Sequence, residues 1–99
     1  MQTSSKLSKD EILEHLKLVS WDIPFSKEQL YSLMIGEVNT IQGFTRHQLY
    51  AKIVNSFNWH KVRKMIPDER LKEALSDPVI ISLFPRSLRE KYKNVRGLL

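Results

Sequence analysis

The sequence predicts an all-α fold, a single compact domain of five to six short helices, and three observations predict it. First, a Ser or Thr that follows an apolar residue and precedes a Glu or Gln by three positions occurs three times. The occurrences are Leu7-Ser8-Lys9-Asp10-Glu11-Ile12, Phe25-Ser26-Lys27-Glu28-Gln29-Leu30 and Phe44-Thr45-Arg46-His47-Gln48-Leu49. Second, apolar residues after each of these starts recur at spacings of three and four, the period of one helical face. Third, alternation of period two is nowhere sustained, and no Asn-Gly or Asp-Gly pair is present to turn one strand into the next.

Each hexapeptide reads as a helix start with a reciprocal cap. The hydroxyl of Ser8, Ser26 or Thr45 can accept from an orphaned backbone N–H, while Glu11, Gln29 or Gln48 reaches back to the N–H of the cap. The apolar pairs Leu7/Ile12, Phe25/Leu30 and Phe44/Leu49 sit where a hydrophobic staple holds the entry. A first helix is expected from about Lys9 to Ser20, burying Ile12, Leu13, Leu16 and Val19, and Asp22-Ile23-Pro24 ends it. A second is expected from Lys27 to Glu37, with Leu30, Leu33, Met34 and Val38 inward and Gly36 marking a fray or a close approach. A loop from Asn39 to Gly43 leads to a third helix, Arg46 to Phe57, whose buried stripe is Leu49, Tyr50, Ile53 and Phe57.

The remaining elements are shorter. Asn58 can cap a segment that starts at Trp59 and buries Val62, Met65 and Ile66. Pro67 suits a first helical turn, with Asp68 and Glu69 at the positive end of the dipole and Leu71, Ala74 and Leu75 inward. Asp77-Pro78 repeats the cap-then-proline pattern before Val79, Ile80, Leu83 and Phe84, and Pro85 makes a tight corner. A strand through Val79-Ile80-Ile81 is rejected because the run is short and lies between prolines. The last helix is expected from Ser87 to Arg96, with Leu88, Tyr92, Val95 and Leu99 on one face and Gly97 as terminator.

Composition agrees with one globular unit. Of 99 residues, 41% are hydrophobic and 27% charged, too apolar for intrinsic disorder. Cysteine is absent, which excludes disulfides, thiolate nucleophiles and cysteine zinc sites. No apolar run approaches the ~20 residues of a membrane span. Residues 1–7 read as a flexible, polar N-terminus rather than a signal peptide, and residues 8–99 as the helical domain, so a cytoplasmic location is expected.

Charge is uneven along the chain. The net charge is +5, and the excess sits in two segments. One holds Arg46, Lys52, Lys61, Arg63 and Lys64 with no acid between Val38 and Pro67. The other holds Arg86, Arg89, Lys91, Lys93 and Arg96 with Glu90 as its single acid. Such residues serve either as a solvated outer face or, if the segments share a side, as a patch for phosphate backbone or an acidic protein surface. The helices around Arg46 to Met65 are a poor helix-turn-helix, because Ser56-Phe57-Asn58-Trp59 lacks the usual glycine and the second helix is short.

No constellation for catalysis emerges. His15, His47 and His60 are scattered, and Glu11 and Glu14 beside His15 belong to the solvent side of a helix, so no metal site is expected. Ser20, Ser32, Ser56, Ser76, Ser82 and Ser87 lie in no nucleophile elbow. Gly36, Gly43 and Gly97 form no phosphate loop, and no cofactor is expected. Trp21 and Trp59 each follow a helix end and suit anchoring between helices.

Residues 44–99 carry a resemblance. Phe44-Thr45-Arg46, Asn58-Trp59, Leu75-Ser76-Asp77 with Val79-Ile80, and Pro85-Arg86-Ser87-Leu88-Arg89-Glu90-Lys91-Tyr92 together resemble small bacterial all-helical proteins. Those proteins are encoded beside nucleotidyltransferase-like toxins of the abortive-infection type. The resemblance implies a common fold and an antitoxin-like or regulatory partner of a neighbouring protein. It marks no functional residue, and the apolar run Ile80-Ile81-Ser82-Leu83-Phe84 departs from it where basic residues are expected. The expectation is therefore a non-enzymatic interaction module, with Arg86, Arg89, Lys93 and Arg96 foremost in contacting a partner. Direct nucleic-acid binding through residues 46–64 and 86–96 is the alternative.

Overall fold

All three predicted caps form. In the computed structural model, which describes residues 6–19, 22–83 and 86–99, the Glu11 N–H donates to Ser8 Oγ at 3.3 Å and the Ser8 N–H to Glu11 Oε1 at 3.0 Å. The same reciprocal pair joins Ser26 to Gln29 and Thr45 to Gln48. They open α1 (Lys9–Val19), α2 (Lys27–Ile35) and α3 (Arg46–Ser56). Asn58 caps α4 (Trp59–Met65) by accepting from the Lys61 N–H at 2.9 Å. A 3₁₀ turn (Asp68–Arg70), α5 (Leu71–Ala74), α6 (Asp77–Ile80) and α7 (Arg86–Gly97) complete the described elements. The chain is a single all-α domain, with one two-stranded ribbon among the described residues.

Four local departures from expectation have physical causes. Helix α2 stops at Ile35, because Gly36 adopts φ 94° and the Gly36 and Glu37 N–H groups turn back to Leu33 and Ser32 carbonyls in a Schellman motif. Val38, expected inward, is consequently exposed. The expected loop at 39–43 is a hairpin of β1 (Thr40–Ile41) and β2 (Phe44–Thr45). Gln42 and Gly43 both have positive φ, 49° and 89°, as a type I′ turn requires; Gln holds a place usually taken by Asn or Asp. Helix α6 is capped in position by Ser76 rather than Asp77, whose carboxylate instead accepts from Arg96 at 2.6 Å. Ser76 Oγ is buried with no partner among the described residues. Pro67 stands just before a 3₁₀ turn, and the α-helix begins only at Leu71.

Helix α3 is the axis of the core, packing against α1, α2, α4, α5 and α6. Leu49, Tyr50, Ala51, Ile53 and Val54 are all buried, so α3 is covered on most sides. Leu16, Leu30, Leu33, Met34, Val62, Met65, Ile66, Leu75, Val79, Ile80 and Leu83 close around it. A radius of gyration of 12.9 Å matches the ~13 Å of a compact chain this long. Lys6 and Leu7, within the stretch expected to be loose, are tied down. The Leu7 N–H donates to Lys64 O at 2.9 Å, and Lys6 Nζ donates to Arg63 O and Ile66 O and pairs with Asp68. Ser20, Trp21, Phe84 and Pro85 lie outside the described residues.

Candidate interaction surface

The ten basic residues singled out from the sequence separate into structural and surface groups. Arg46 belongs inside and is removed from the contact set. Its Nε donates to Leu33 O at 2.8 Å, Nη1 to Glu73 Oε2 at 2.9 Å, and Nη2 to Val38 O and Asn39 Oδ1. The side chain is 10% exposed. One turn further along α3, the Tyr50 hydroxyl donates to Met34 O at 2.6 Å. Residues four apart on one helical face thus satisfy the last carbonyls of α2, and the Arg charge also complements the negative end of its dipole.

Glu73 completes this partly buried cluster by accepting also from Arg70 at 2.9 Å. Burial by itself would raise the Glu73 carboxyl, but hydrogen bonds from Arg46 and Arg70 outweigh it and hold the group below the usual carboxylate range. Burial, and then the nearby Glu73 charge, push the Tyr50 hydroxyl far up, so it stays a neutral donor.

Helix α7 sorts its cations by heptad spacing, which returns a residue to the same face. Arg89 and Arg96 turn toward α6. Arg89 Nε donates to Leu83 O at 2.8 Å, and Arg96 Nη1 donates to Leu75 O and Asp77 Oδ1. Arg86 and Lys93 are on the solvent face, where Lys93 stands 3.7 Å from Glu90. Lys91 and Leu98 fall on the side of α4, with Lys91 Nζ 5.5 Å from the centroid of the Tyr92 ring.

The two basic segments meet at α4 and α7. The Trp59 and Tyr92 rings pack edge to face with centroids 5.9 Å apart. Beside them Trp59, Arg63, Leu71, Val95, Leu98 and Leu99 line a cleft of about 360 Å³. Arg63 is exposed on its rim, and Leu98 is 87% exposed. Sequence reasoning missed Leu98 because it follows the terminator Gly97, and it placed Leu99 on the inward face of the last helix, where the structure leaves it 40% exposed. Their seven-residue spacing from Lys91 and Tyr92 was the available signal. Of the other basic residues, Lys52 pairs with Asp22 at 3.3 Å, while Lys61 and Lys64 are half-buried on α4.

The histidines stand on separate helices. His15 Nδ1 lies 2.7 Å from Glu11 O and its ring packs on Phe57, His47 Nε2 is 3.7 Å from Glu73, and His60 is exposed. Among the described residues no three His, Cys, Asp or Glu side chains gather as metal ligands, and no helix is long and apolar enough to cross a membrane. Comparison with known protein families, with curated proteins and with solved structures yields no match.

Proposed function

We propose that this chain is a non-enzymatic protein-interaction module, an antitoxin-like or regulatory partner of a protein encoded beside it. The observation that carries this reading is the meeting of the basic segments of α4 and α7 around an apolar seam. Trp59, Val95 and Leu98 offer area to bury, and Arg63 and Lys91 flank them with positive charge. Large aromatic and apolar anchors ringed by polar groups are the pattern of a protein-binding surface. The sequence resemblance over residues 44–99 supports a neighbour-encoded partner.

Co-purification of the full chain with the product of the adjacent gene tests this reading. Charge reversal at Arg63 and Lys91 leaves the core untouched, since both are exposed, and is expected to abolish association. Unchanged association removes the assignment of this face.

Nucleic-acid binding is the second reading, favoured by the meeting of the two basic helices at the Trp59 and Tyr92 rings. With Arg46, Lys52, Arg89 and Arg96 engaged internally, Arg63, Arg86, Lys91 and Lys93 are the exposed cations of the two basic segments. Duplex binding through them would have a log–log salt slope no steeper than about −4. Absence of a shift with DNA or RNA at low salt excludes it.

A further inference from the structure

We propose that the α4–α7 cleft is a docking site for an acidic segment of a partner protein, which inserts one large apolar side chain between Trp59 and Leu98. The inference rests on the reading of the chain as a binding module and names the chemistry of what it binds. No carboxylate side chain lines the cleft among the described residues, and its one charged lining side chain is Arg63. Lys91 adds a second cation over the Tyr92 ring, against which Trp59 packs. The groove beside α1 differs, because Lys6, Lys64, Asp68 and Glu69 line it with both signs of charge.

Charge complementarity selects the occupant. An apolar floor with a cationic rim attracts an anionic chain by long-range steering, while burial of its apolar anchor supplies most of the affinity. A cleft of about 360 Å³ has room for a large aliphatic or aromatic side chain presented by a helix or an extended segment. A second copy presents the same cationic rim and so lacks the negative charge that the cleft selects. A phosphate backbone would gain little from the apolar floor.

The test is selection of displayed random peptides, each about four helical turns or roughly 16 residues long, against the immobilised full chain. Enriched peptides are then synthesised and titrated in solution by anisotropy. Acidic sequences carrying Leu, Phe or Trp are expected, with Arg63→Glu and Leu98→Asp each weakening binding about tenfold or more. Leu18→Ser, at another exposed leucine outside the lining, is expected to leave binding unchanged. Circular dichroism verifies that each variant folds.

No enrichment, enrichment without acidic bias, or affinity indifferent to both cleft variants overturns the proposal. So does concentration-dependent self-association that Leu98→Asp abolishes. If selected peptides bind but ignore the cleft variants, the interaction reading survives and only the cleft assignment falls. If no peptide is enriched while duplex DNA or RNA binds and Arg63→Glu weakens that binding, both fall together.

Discussion

At the scale of single residues, Arg46, Arg70 and Glu73 decide how the end of α2 is held. Removing Glu73 leaves the guanidinium of Arg46, 10% exposed, without its anionic partner. Breaking such a pair on one side costs about 3 kcal/mol, so Glu73→Ala is expected to lower Tm by about 15 °C, read by thermal denaturation. Adding Arg46→Met to Glu73→Ala should cost less than the sum of the two, with a coupling of about 1 kcal/mol or more in a double-mutant cycle. Additive effects would show that the pair is not coupled. Gly36 is a second pivot. It holds φ 94°, and a Cβ there would collide with the Arg70 guanidinium that Glu73 fixes. Gly36→Ala is expected to destabilise by at least about 1 kcal/mol in a denaturant titration.

At the scale of elements, short helices depend on their ends, because few of their backbone groups lie far from a terminus. Thr45 caps α3, which runs through the middle of the core. Thr45→Ala should therefore cost about 1 kcal/mol of global stability, with Thr45→Ser close to wild type; urea titration of the two variants checks this. The same logic explains which boundaries were readable. Ser8, Ser26, Thr45 and Asn58 announce their helices by local side-chain chemistry, so the starts were predicted correctly. The end of α2 was placed two residues late, although Gly36 was noted, because Glu37 and Val38 continue a helix-compatible pattern. The hairpin was invisible to a motif search, since Gln42 does not advertise its left-handed conformation.

At the scale of the whole molecule, internal pairing spends much of the positive excess and links stability to acid. Glu73 titrates below the ordinary glutamate value of 4.5 in the fold. Its contribution is therefore fully present above that value and is lost as pH falls through the lower, folded-state one. The hydrogen bond from Arg96, then its charge, likewise lowers Asp77 below the ordinary 3.8. Denaturant midpoints should accordingly drop as pH is taken from 5 toward about 3. Glu73→Gln should lie below wild type at neutral pH yet show a shallower acid decline. Parallel curves for the two proteins would refute the role of Glu73. Surface composition follows the same division: the shielded Arg46–Glu73 pair stabilises the fold, Lys52 and Arg96 are occupied by Asp22 and Asp77, and Arg63, Arg86, Lys91 and Lys93 of the two basic segments are left for encounter.

The sequence by itself determined the all-helical class, the starts of α1 to α4 and nearly all of the core, because capping and amphipathic period act within a few residues of each other. Leu49, Tyr50 and Ile53 needed no knowledge of their partners to be recognised as inward. Only the tertiary structure decided what the charges do. Arg46 and Lys64 are both basic and both lie in the first basic segment, yet one is consumed by acceptors from α2, the following loop and α5, up to 27 residues away. The cleft likewise joins residues far apart in the chain, Trp59 and Arg63 of α4 with Val95 of α7 and Leu98 just past it, where the Trp59 and Tyr92 rings meet. Pairing and concavity are relations between distant residues, and no local pattern encodes them.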